Sequence, residues 1–277
     1  MKSYNPYTPS RRFITTVDYR GLSKEKPVKK LLVTLKAHAG RNSQGRITMR
    51  HQGGGVKRRY RLVDFTQAVL NEPAKVLGIE YDPYRTAFIA RVQGRNGTLR
   101  YVLAPQGLEV GSEILTAESA PLTMGNRLKL KNVPVGYQVH SVETRPGSGG
   151  VLARSAGSYG EVLANADGYT DIKLSSGAVR RVPWESFASL GQVSNPEHNL
   201  MVIGKAGRAR HMGVRPTVRG SVMNPVDHPY GGGEGRQPRG TRKPKTIWGK
   251  VTGGHKTRNK KKWSNWFIVS RRPKNKR

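Results

Sequence analysis

The stretch KVLGIEYDPYRTAFIARVQGRNGTLRYVLA, residues 75–104, predicts the fold most directly. Within it, Asn96-Gly97 stands between ARVQ and TLRYVLA, and this residue pair is a strong signal of a two-residue β-hairpin turn. In the second run Leu99, Tyr101 and Leu103 occupy alternate positions, so they share one face of an extended strand. The stretch therefore predicts paired strands, the second of them half-buried.

Similar short segments continue on both sides, from Arg61 to about residue 199. They include YRLVDF at 60–65, YQVHSVE at 137–143 and YTDIKLSSGAVRRVPW at 169–184, with tight-turn signals such as Asp167-Gly168 between them. Short strands at this spacing are typical of all-β barrels rather than of a parallel sheet. The region is long enough for one domain of ordinary size or for two small barrels.

One segment outside this region has a helical pattern. Pro27 is followed by apolar residues at helical spacing, which are Val28, Leu31, Leu32 and Leu35. The stripe is barely two turns long, so we expect it to dock onto protein or RNA rather than onto a membrane surface.

The charge is distributed unevenly along the 277 residues. The chain has 50 Lys and Arg against 17 Asp and Glu, a formal net charge of +33. Residues 1–60 carry +13, residues 61–199 carry +1 and residues 200–277 carry +19. Two basic extensions, poor in apolar residues and predicted to be largely irregular, thus flank a near-neutral middle. Such a charge requires a polyanionic partner.

Several classes of function are disfavoured by what the sequence lacks. There are no cysteines, so disulfides and thiolate metal sites are excluded, and the seven histidines show no ligand spacing. We therefore predict no metal and no cofactor. No apolar run approaches the roughly 18 residues that span a bilayer, and the start, MKSYNPYTPSRR, lacks a signal-peptide core. We predict no membrane partner and a location inside a cell or organelle.

The amino-terminal extension ends in a basic, glycine-rich stretch, GRNSQGRITMRHQGGGVKRRYR, at 40–61. A solvated charge run is the bland interpretation. A GGG turn between basic clusters favours a strand that follows phosphates instead. The predicted RNA-binding residues here are Arg41, Arg46, Arg50, His51, Gly53, Gly54, Gly55, Lys57, Arg58 and Arg59.

The carboxy-terminal extension repeats this character, first in GKAGRARHMGVRPTVRG at 204–220 and then in the basic tail from Lys256. Trp263, Trp266 and Phe267 interleave with the cations of the tail, and we expect them to contact RNA bases. The predicted RNA-binding cations are Lys205, Arg208, Arg210, Arg215, Arg219, Arg236, Lys256 and Arg258.

The loop MNPVDHPYGGGEGR, residues 223–236, is the most unusual segment of this extension. Pro225 and Pro229 fix φ, while its three consecutive glycines leave backbone amides unshielded, as suits a loop pressed against a polyanion. It lacks the patterns of a P-loop and of a dinucleotide fingerprint. Its predicted RNA-binding residues are Asn224, Asp227, His228, Gly231, Gly232 and Gly233.

An acid–base function of Asp227 and His228 is the main catalytic alternative. Adjacent residues rarely point at each other in an extended chain, and no nucleophile motif accompanies them. We therefore predict that the protein is not an enzyme, that it has no catalytic residues, and that both side chains act structurally.

Four segments together resemble the L-two family, the second protein of the large ribosomal subunit, of bacterial or organellar type. They are GRNSQGRITMRHQGGGVKRRYRLVDF, IEYDPYRTAFIARV, GGVLARSAGSYGEVLA and GKAGRARHMGVRPTVRGSVMNPVDHPYGGGEGR. The resemblance runs from about Pro6 to Val269, and its third segment adds Arg154 to the predicted RNA-binding residues. Three positions depart from the family pattern, since Val56, Tyr230 and Ile247 stand where histidine, histidine and proline are common.

The resemblance implies an OB-like barrel at 61–125 and then an SH3-like barrel at 126–199, between the extensions 1–60 and 200–277. It also implies a structural constituent of the large subunit that binds 23S-type rRNA and supports subunit association, tRNA positioning and organisation of the peptidyl-transferase region. The implied partners are neighbouring ribosomal proteins and the small subunit at the intersubunit face. The implied location is the cytoplasmic ribosome, or an organellar matrix or stroma.

A nucleoid-type DNA-binding protein is the alternative function. Compaction of DNA would also explain the net charge, but it requires neither two barrels nor an ordered GGG loop. Co-sedimentation with large-subunit particles rather than with DNA separates the two hypotheses.

Overall fold

The computed structural model describes residues 1–254 and 256–271, so His255 and the end of the predicted basic tail lie outside the described residues. The chain forms two compact units. The first comprises Met1–Lys36, Lys57–Lys205 and the residues from Ser264, and the second comprises Ala37–Val56 and Ala206–Trp263. Each of the two extensions predicted from the sequence, 1–60 and 200–277, contributes residues to both units. The predicted domain limits remain predictions.

Strands make up most of the regular secondary structure in the described residues, and regular α-helix there is confined to α1, Ala206–His211. Short 3₁₀ turns occur at Lys29–Leu31, Leu130–Asn132, Pro196–Leu200, Gly220–Val222 and Trp263–Asn265. The strands are β1 Lys2–Ser3, β2 Thr15–Thr16, β3 Leu32–Val33, β4 Tyr60–Arg61, β5 Glu72–Glu80, β6 Ile89–Gln93, β7 Leu99–Leu103, β8 Glu113–Thr116, β9 Arg127–Lys129, β10 Gln138–His140, β11 Gly160–Ala166, β12 Tyr169–Leu174, β13 Val179–Pro183, β14 Phe187–Leu190 and β15 Ile268–Ser270.

Eleven of these strands form one continuous sheet in the order β15-β13-β12-β11-β10-β14-β9-β8-β5-β6-β7. All neighbours are antiparallel except β8 and β9. The sheet contributes to two larger apolar cores, one built by strands β5 to β8 and one built by strands β9 to β14, and a small third cluster holds Ala87, Leu103 and Val193. Val76, Val92 and Val102 belong to the first core, and Leu128 and Ile172 belong to the second. The predicted all-β class with two barrels is confirmed.

The hairpin signal at Asn96-Gly97 is confirmed, but the connection is longer than two residues. Strand β6 pairs with β7 through Gln93 and Leu99, which leaves residues 94–98 as the loop. Gly97 takes φ +75°, and its N–H donates to the carbonyl of Gly94 at 3.0 Å. The glycine therefore performs the expected turn function within a wider loop.

Strand β7 is buried on both faces, whereas the alternation predicted a half-buried strand. Tyr101, Val102 and Leu103 are each at most 5% exposed. On the second face the amino-terminal segment reaches Tyr101, since the N–H of Val28 donates to the Tyr101 hydroxyl at 3.0 Å, while Leu103 packs with Ala87 and Val193. Nearby, the N–H of Ser23 donates to the carbonyl of Ile79 at 2.8 Å. Periodicity within one strand carries no information about a remote segment that lies over it.

The predicted helix after Pro27 is wrong. The segment forms the single 3₁₀ turn and then strand β3, which pairs with β4 through Leu32 and Arg61. The carbonyl of Leu31 accepts the N–H of Leu62 at 2.9 Å rather than a helical donor. A stripe of two turns is too short to stabilise a helix against pairing of this kind.

The tail returns to the first unit and adds an edge strand to the second barrel. Strand β15 pairs with β13, and the N–H of Arg181 donates to the carbonyl of Phe267 at 2.8 Å. Trp266 packs edge-on against Tyr169 with ring centroids 5.3 Å apart. At least one of the tail aromatics expected to contact RNA therefore also packs on protein. Among the described helices, none has the length and apolar character needed to cross a bilayer.

Candidate nucleic-acid interface

The second compact unit concentrates positive charge. It holds 18 Lys and Arg against two acidic residues, Asp227 and Glu234. Its two parts are far apart in sequence, so the fold brings the basic stretch of one extension together with that of the other. This clustering of like charge is unfavourable without a polyanion nearby.

The two extensions of this unit are joined by backbone hydrogen bonds. Gly53 donates its N–H to the carbonyl of Gly213 at 2.9 Å, and Val56 donates to that of His211 at 3.0 Å. Arg215 donates in turn to the carbonyl of His51 at 3.0 Å. The segment 51–56 is therefore paired with the end of α1 and the residues that follow it.

The three glycines at 53–55 allow this close approach. A β-carbon at Gly55 would lie 2.9 Å from the Cα of Gly213, and one at Gly53 would lie 2.9 Å from the β-carbon of Ala39. Gly54 takes φ +69° beside the guanidinium of Arg210. Close packing within the protein thus explains why glycines occupy 53 and 55. Direct contact of these glycines with RNA remains a prediction.

Most of the predicted RNA-binding cations project into solvent. Within the part of the chain that the structure describes, no carboxylate lies at ion-pair distance from Arg41, Arg46 or Arg50. The exposed members of the set are Arg41, Arg46, Arg50, Lys57, Arg58, Arg59, Arg154, Lys205, Arg215, Arg219, Arg236, Lys256 and Arg258, while Arg208 and Arg210 are partly buried. The exposed side chains of this set are accessible to the phosphates of a bound RNA.

Two of these cations, Arg58 and Arg154, belong to the first unit and stack on aromatic rings of that same unit. The guanidinium of Arg58 lies 4.6 Å from the ring centroid of Tyr84, and that of Arg154 lies 4.6 Å from the ring centroid of Phe65. Each guanidinium also donates one N–H to a backbone carbonyl, Arg58 to Pro83 at 3.0 Å and Arg154 to Gly150 at 3.3 Å. Stacking and this hydrogen bond fix the direction of each arginine, and other N–H groups of its edge can still meet a phosphate. The sequence showed the cations but not these ring partners.

The loop at 223–236 is held by its own backbone. The carbonyl of Asn224 accepts the N–H of Asp227 at 3.0 Å and that of His228 at 3.3 Å. Gly231 donates to the carbonyl of His228 at 2.8 Å, and Gly232 donates to that of Met223 at 3.0 Å. The amides of Gly231 and Gly232 are therefore used inside the loop, and they do not form the unshielded amide surface that the sequence suggested.

His228 is the buried centre of this loop. The residue is 9% exposed, and Nδ1 of its ring accepts the N–H of Tyr230 at 3.1 Å. An acceptor nitrogen carries no proton, so the ring proton of the neutral imidazole is on Nε2. The ring packs against bare backbone, because a β-carbon on Gly220 would lie 2.5 Å from Nδ1.

Asp227 and His228 do not form an acid–base pair. Asp227 is exposed, and its carboxylate makes no hydrogen bond to any described residue, whereas the His228 ring is buried. Among the described residues, no group of three or more His, Cys, Asp and Glu side chains is arranged to hold a metal ion. The geometry suits a loop held in one shape rather than proton transfer between these two groups.

The sequence reasoning missed a hairpin beside this loop. Thr246 donates its N–H to the carbonyl of Lys250 at 2.8 Å, and Lys245 pairs with Val251 in an antiparallel bridge. The N–H of Lys245 also donates to the hydroxyl of Tyr230. Trp248-Gly249 at the turn was the available signal, but no alternating apolar pattern accompanied it.

Two family models match this chain. The model for Ribosomal Proteins L2, RNA binding N-terminal domain, matches residues 28–116, which contain β3 to β8. The model for Ribosomal Proteins L2, C-terminal domain, matches residues 123–249, which contain β9 to β14, α1 and the loop at 223–236. These domains are an OB-like and an SH3-like barrel. The chain therefore belongs to the ribosomal protein L2 family, whose members are RNA-binding structural proteins of the large ribosomal subunit.

Proposed function

We propose that this chain is a structural constituent of the large ribosomal subunit that binds 23S-type rRNA chiefly through its second compact unit. The observation that carries the proposal is the charge of that unit, 18 Lys and Arg against two acids on a backbone already fixed by internal hydrogen bonds. A preformed backbone reduces the entropy lost when RNA binds. Its exposed arginines present planar donors that match phosphate oxygens.

The finer parts of the proposal concern the loop at 223–236. We assign to it the organisation of the peptidyl-transferase region, with support of tRNA positioning and of subunit association. His228 and the backbone around it hold one loop shape, and Arg236 supplies a cation to nearby phosphate. The protein acts without catalytic residues of its own. Its other partners are neighbouring ribosomal proteins and the small subunit, on ribosomes of the cytoplasm or of an organelle.

The salt dependence of binding tests the RNA contact. Affinity of the full chain for deproteinised large-subunit rRNA falls steeply with salt, because each phosphate contact contributes roughly −0.7 to −0.9 to the log–log slope. Replacing Arg41, Arg46 and Arg50 together by glutamine makes the slope shallower by about 2. The matched control replaces three exposed cations of the barrels, Lys75, Arg95 and Lys173, and leaves the slope nearly unchanged.

Two results contradict the proposal. A wild-type slope equivalent to one or two contacts means that the basic unit is not engaged. Equal affinity for duplex DNA and for rRNA at the same salt concentration favours the nucleoid-type alternative.

A further inference from the structure

The hairpin at 244–252 presents Trp248 at its tip. Gly249 donates its N–H to the carbonyl of Thr246 at 3.0 Å and takes φ +75°, so Thr246–Gly249 is a hydrogen-bonded turn with Trp248 in its third position. The N–H of Lys250 donates to the Thr246 hydroxyl at 3.2 Å. At the open end, Thr252 donates to the carbonyl of Pro244 at 2.7 Å. The tip is therefore fixed by several hydrogen bonds although the segment has no apolar core.

The indole of Trp248 is unusually exposed for its size. The residue is 77% exposed, and within the described part of the chain it makes no ring contact. A single exposed apolar side chain is common on protein surfaces and needs no partner by itself. What distinguishes Trp248 is its place on an ordered turn, where little conformational entropy remains to be lost on binding.

Positive charge surrounds this indole in sequence and in the hairpin. Lys243 precedes the hairpin, Lys245 lies on its first strand and Lys250 on its second, and no acidic residue occurs between 235 and 271. Lys243 and Lys250 are exposed. An exposed aromatic ring with one exposed lysine five positions before it and another two positions after it can serve both parts of a nucleotide, the ring stacking on the base and the lysines pairing with phosphates.

The hairpin is also tied to the loop that contains His228. The Tyr230 hydroxyl accepts the N–H of Lys245, and the N–H of Tyr230 donates to Nδ1 of His228. Tyr230 thus connects the two elements through its side chain and its backbone. Because Tyr230 joins the two elements, a contact between Trp248 and a partner also helps to position the loop at 223–236.

We propose that Trp248 stacks on an unpaired nucleobase of RNA, with Lys243 and Lys250 on adjacent phosphates. The inference rests on the proposed rRNA binding and adds to it a base contact where cations alone give only phosphate contacts. The charge of the hairpin favours RNA over an apolar groove of a protein partner, because three lysines within eight residues, 243–250, oppose burial in such a groove. Stacking accepts any base that is unpaired, so the site selects single-stranded RNA rather than a given sequence.

The test uses the full chain and two probes, deproteinised large-subunit rRNA and heparin, a polyanion without bases. Trp248→Ala lowers affinity for the rRNA by about tenfold, within the range measured for loss of one stacked base. Trp248→Phe retains most of the affinity, while Trp248→Leu behaves like alanine although it keeps apolar area. None of the three changes binding to heparin. None alters the log–log salt slope on rRNA, because no charge is removed.

Lys250→Gln is the complementary variant. It makes the salt slope on rRNA shallower by roughly 0.7 to 0.9 and weakens heparin binding as well. Together, the two variants separate the base contact from the phosphate contact at one hairpin.

The outcomes distinguish this inference from the proposed function. If the wild type binds rRNA with a steep slope and Trp248→Ala binds equally well, the base contact is disproved and the proposed function stands. Rescue by leucine as complete as by phenylalanine disproves stacking and favours an apolar contact with the sugars of the RNA. A wild type without steep binding to rRNA disproves both.

Discussion

Gly55 and Gly213 lie in backbone contact although 158 positions separate them: a β-carbon at Gly55 would stand 2.9 Å from the Cα and 3.0 Å from the N of Gly213. The contact joins the two extensions within the second unit. It permits the neighbouring hydrogen bond in which Val56 donates to the carbonyl of His211 at 3.0 Å. The glycine is thus required by packing of the protein on itself.

We expect Gly55→Ala to separate the two extensions locally. The added methyl group meets backbone atoms, which cannot move aside as a flexible side chain does. Hydrogen exchange of the Gly53 and Val56 amides measures the effect and should become faster by at least tenfold. Gly207→Ala is the matched control, since no atom lies within 4 Å of its added β-carbon and alanine favours the helix in which it lies. Unchanged protection in Gly55→Ala contradicts the prediction.

We expect Glu143→Ala to destabilise the second barrel strongly. Arg127 is wholly buried and donates to Glu143 at 2.9 Å, while the other carboxylate oxygen accepts the N–H groups of Gly147 and Phe187. Burial lowers the pKa of Arg127, but the guanidinium stays charged at neutral pH. Removing one partner of a buried pair costs about 3–5 kcal/mol of unfolding free energy.

Chemical denaturation followed by circular dichroism measures this loss. The control is Glu118→Ala, which breaks the ion pair of an exposed carboxylate with Lys129 and should change stability far less than Glu143→Ala does. Replacing Arg127 and Glu143 together by methionine and leucine should cost less than the sum of the single changes, because no buried charge is left alone. Equal losses from Glu143→Ala and Glu118→Ala would falsify the prediction.

We expect stability to fall as the pH falls from about 6.5 to about 4, in part because of His140. The ring is fully buried and lies 3.0 Å from the carbonyl of Gly191, and burial lowers its pKa from 6.5 to about 4. Between these values the unfolded chain binds more protons than the folded one, so acid favours unfolding. This difference between the pKa values of the unfolded and the folded chain lowers the free energy of unfolding by on the order of 3 kcal/mol once the pH is below the pKa of the folded state.

Denaturation midpoints at pH 7 and pH 4.5 measure the effect. His140→Gln should lose less stability on acidification than the wild type, since glutamine keeps a donor for Gly191 and does not titrate. His211→Gln, at an exposed position, is the control and should follow the wild type. The same acid sensitivity in His140→Gln and the wild type speaks against the assignment.

The sequence predicted those features that depend on local chemistry. Asn96-Gly97 marked a real hairpin, and the strand-like segment that begins at Tyr169 marked strand β12. Strand positions of this kind are set by pleat and burial within a few residues. The charge contrast between the middle and the extensions was likewise readable from composition, because it needs no knowledge of contacts.

Contacts between remote segments could not be predicted in this way. Nothing near Tyr101 shows that Val28 covers it, and nothing near Gly55 shows that Gly213 lies against it. The GGG turn was therefore attributed to RNA alone. Asp commonly closes a turn through its short side chain, which predicts that Asp227 tethers the turn of its loop, but the carbonyl of Asn224 closes that turn instead. A side chain and a carbonyl can close the same turn, and local sequence does not decide between them.

The last prediction concerns His228, whose ring fits between Tyr230 and Gly220. Because Nδ1 accepts the N–H of Tyr230, loss of the ring leaves a partly buried donor without its acceptor and opens space beside Gly220. Gly220→Ala places a methyl group on the ring itself, so it should disturb the loop as His228→Ala does. We therefore expect both variants to lower incorporation of the protein into large-subunit particles, and we expect His228→Gln, which keeps an acceptor oxygen, to restore it.

The decisive measurement follows assembly and the pH dependence of peptide-bond formation in the same particles. If His228 acts by shape and hydrogen bonding, protonation of its ring does not contribute to the pH profile of peptide-bond formation. His228→Gln particles, in which residue 228 does not titrate, then show the wild-type pH profile. A proton-transfer function requires instead that glutamine abolish the chemical step and its titration near neutrality. If both His228→Ala and His228→Gln particles assemble fully yet lose the chemical step and its titration near neutrality, the structural function assigned to this loop is overturned. Gly207→Ala particles serve as the control, because that substitution lies in the same unit and meets no neighbouring atom.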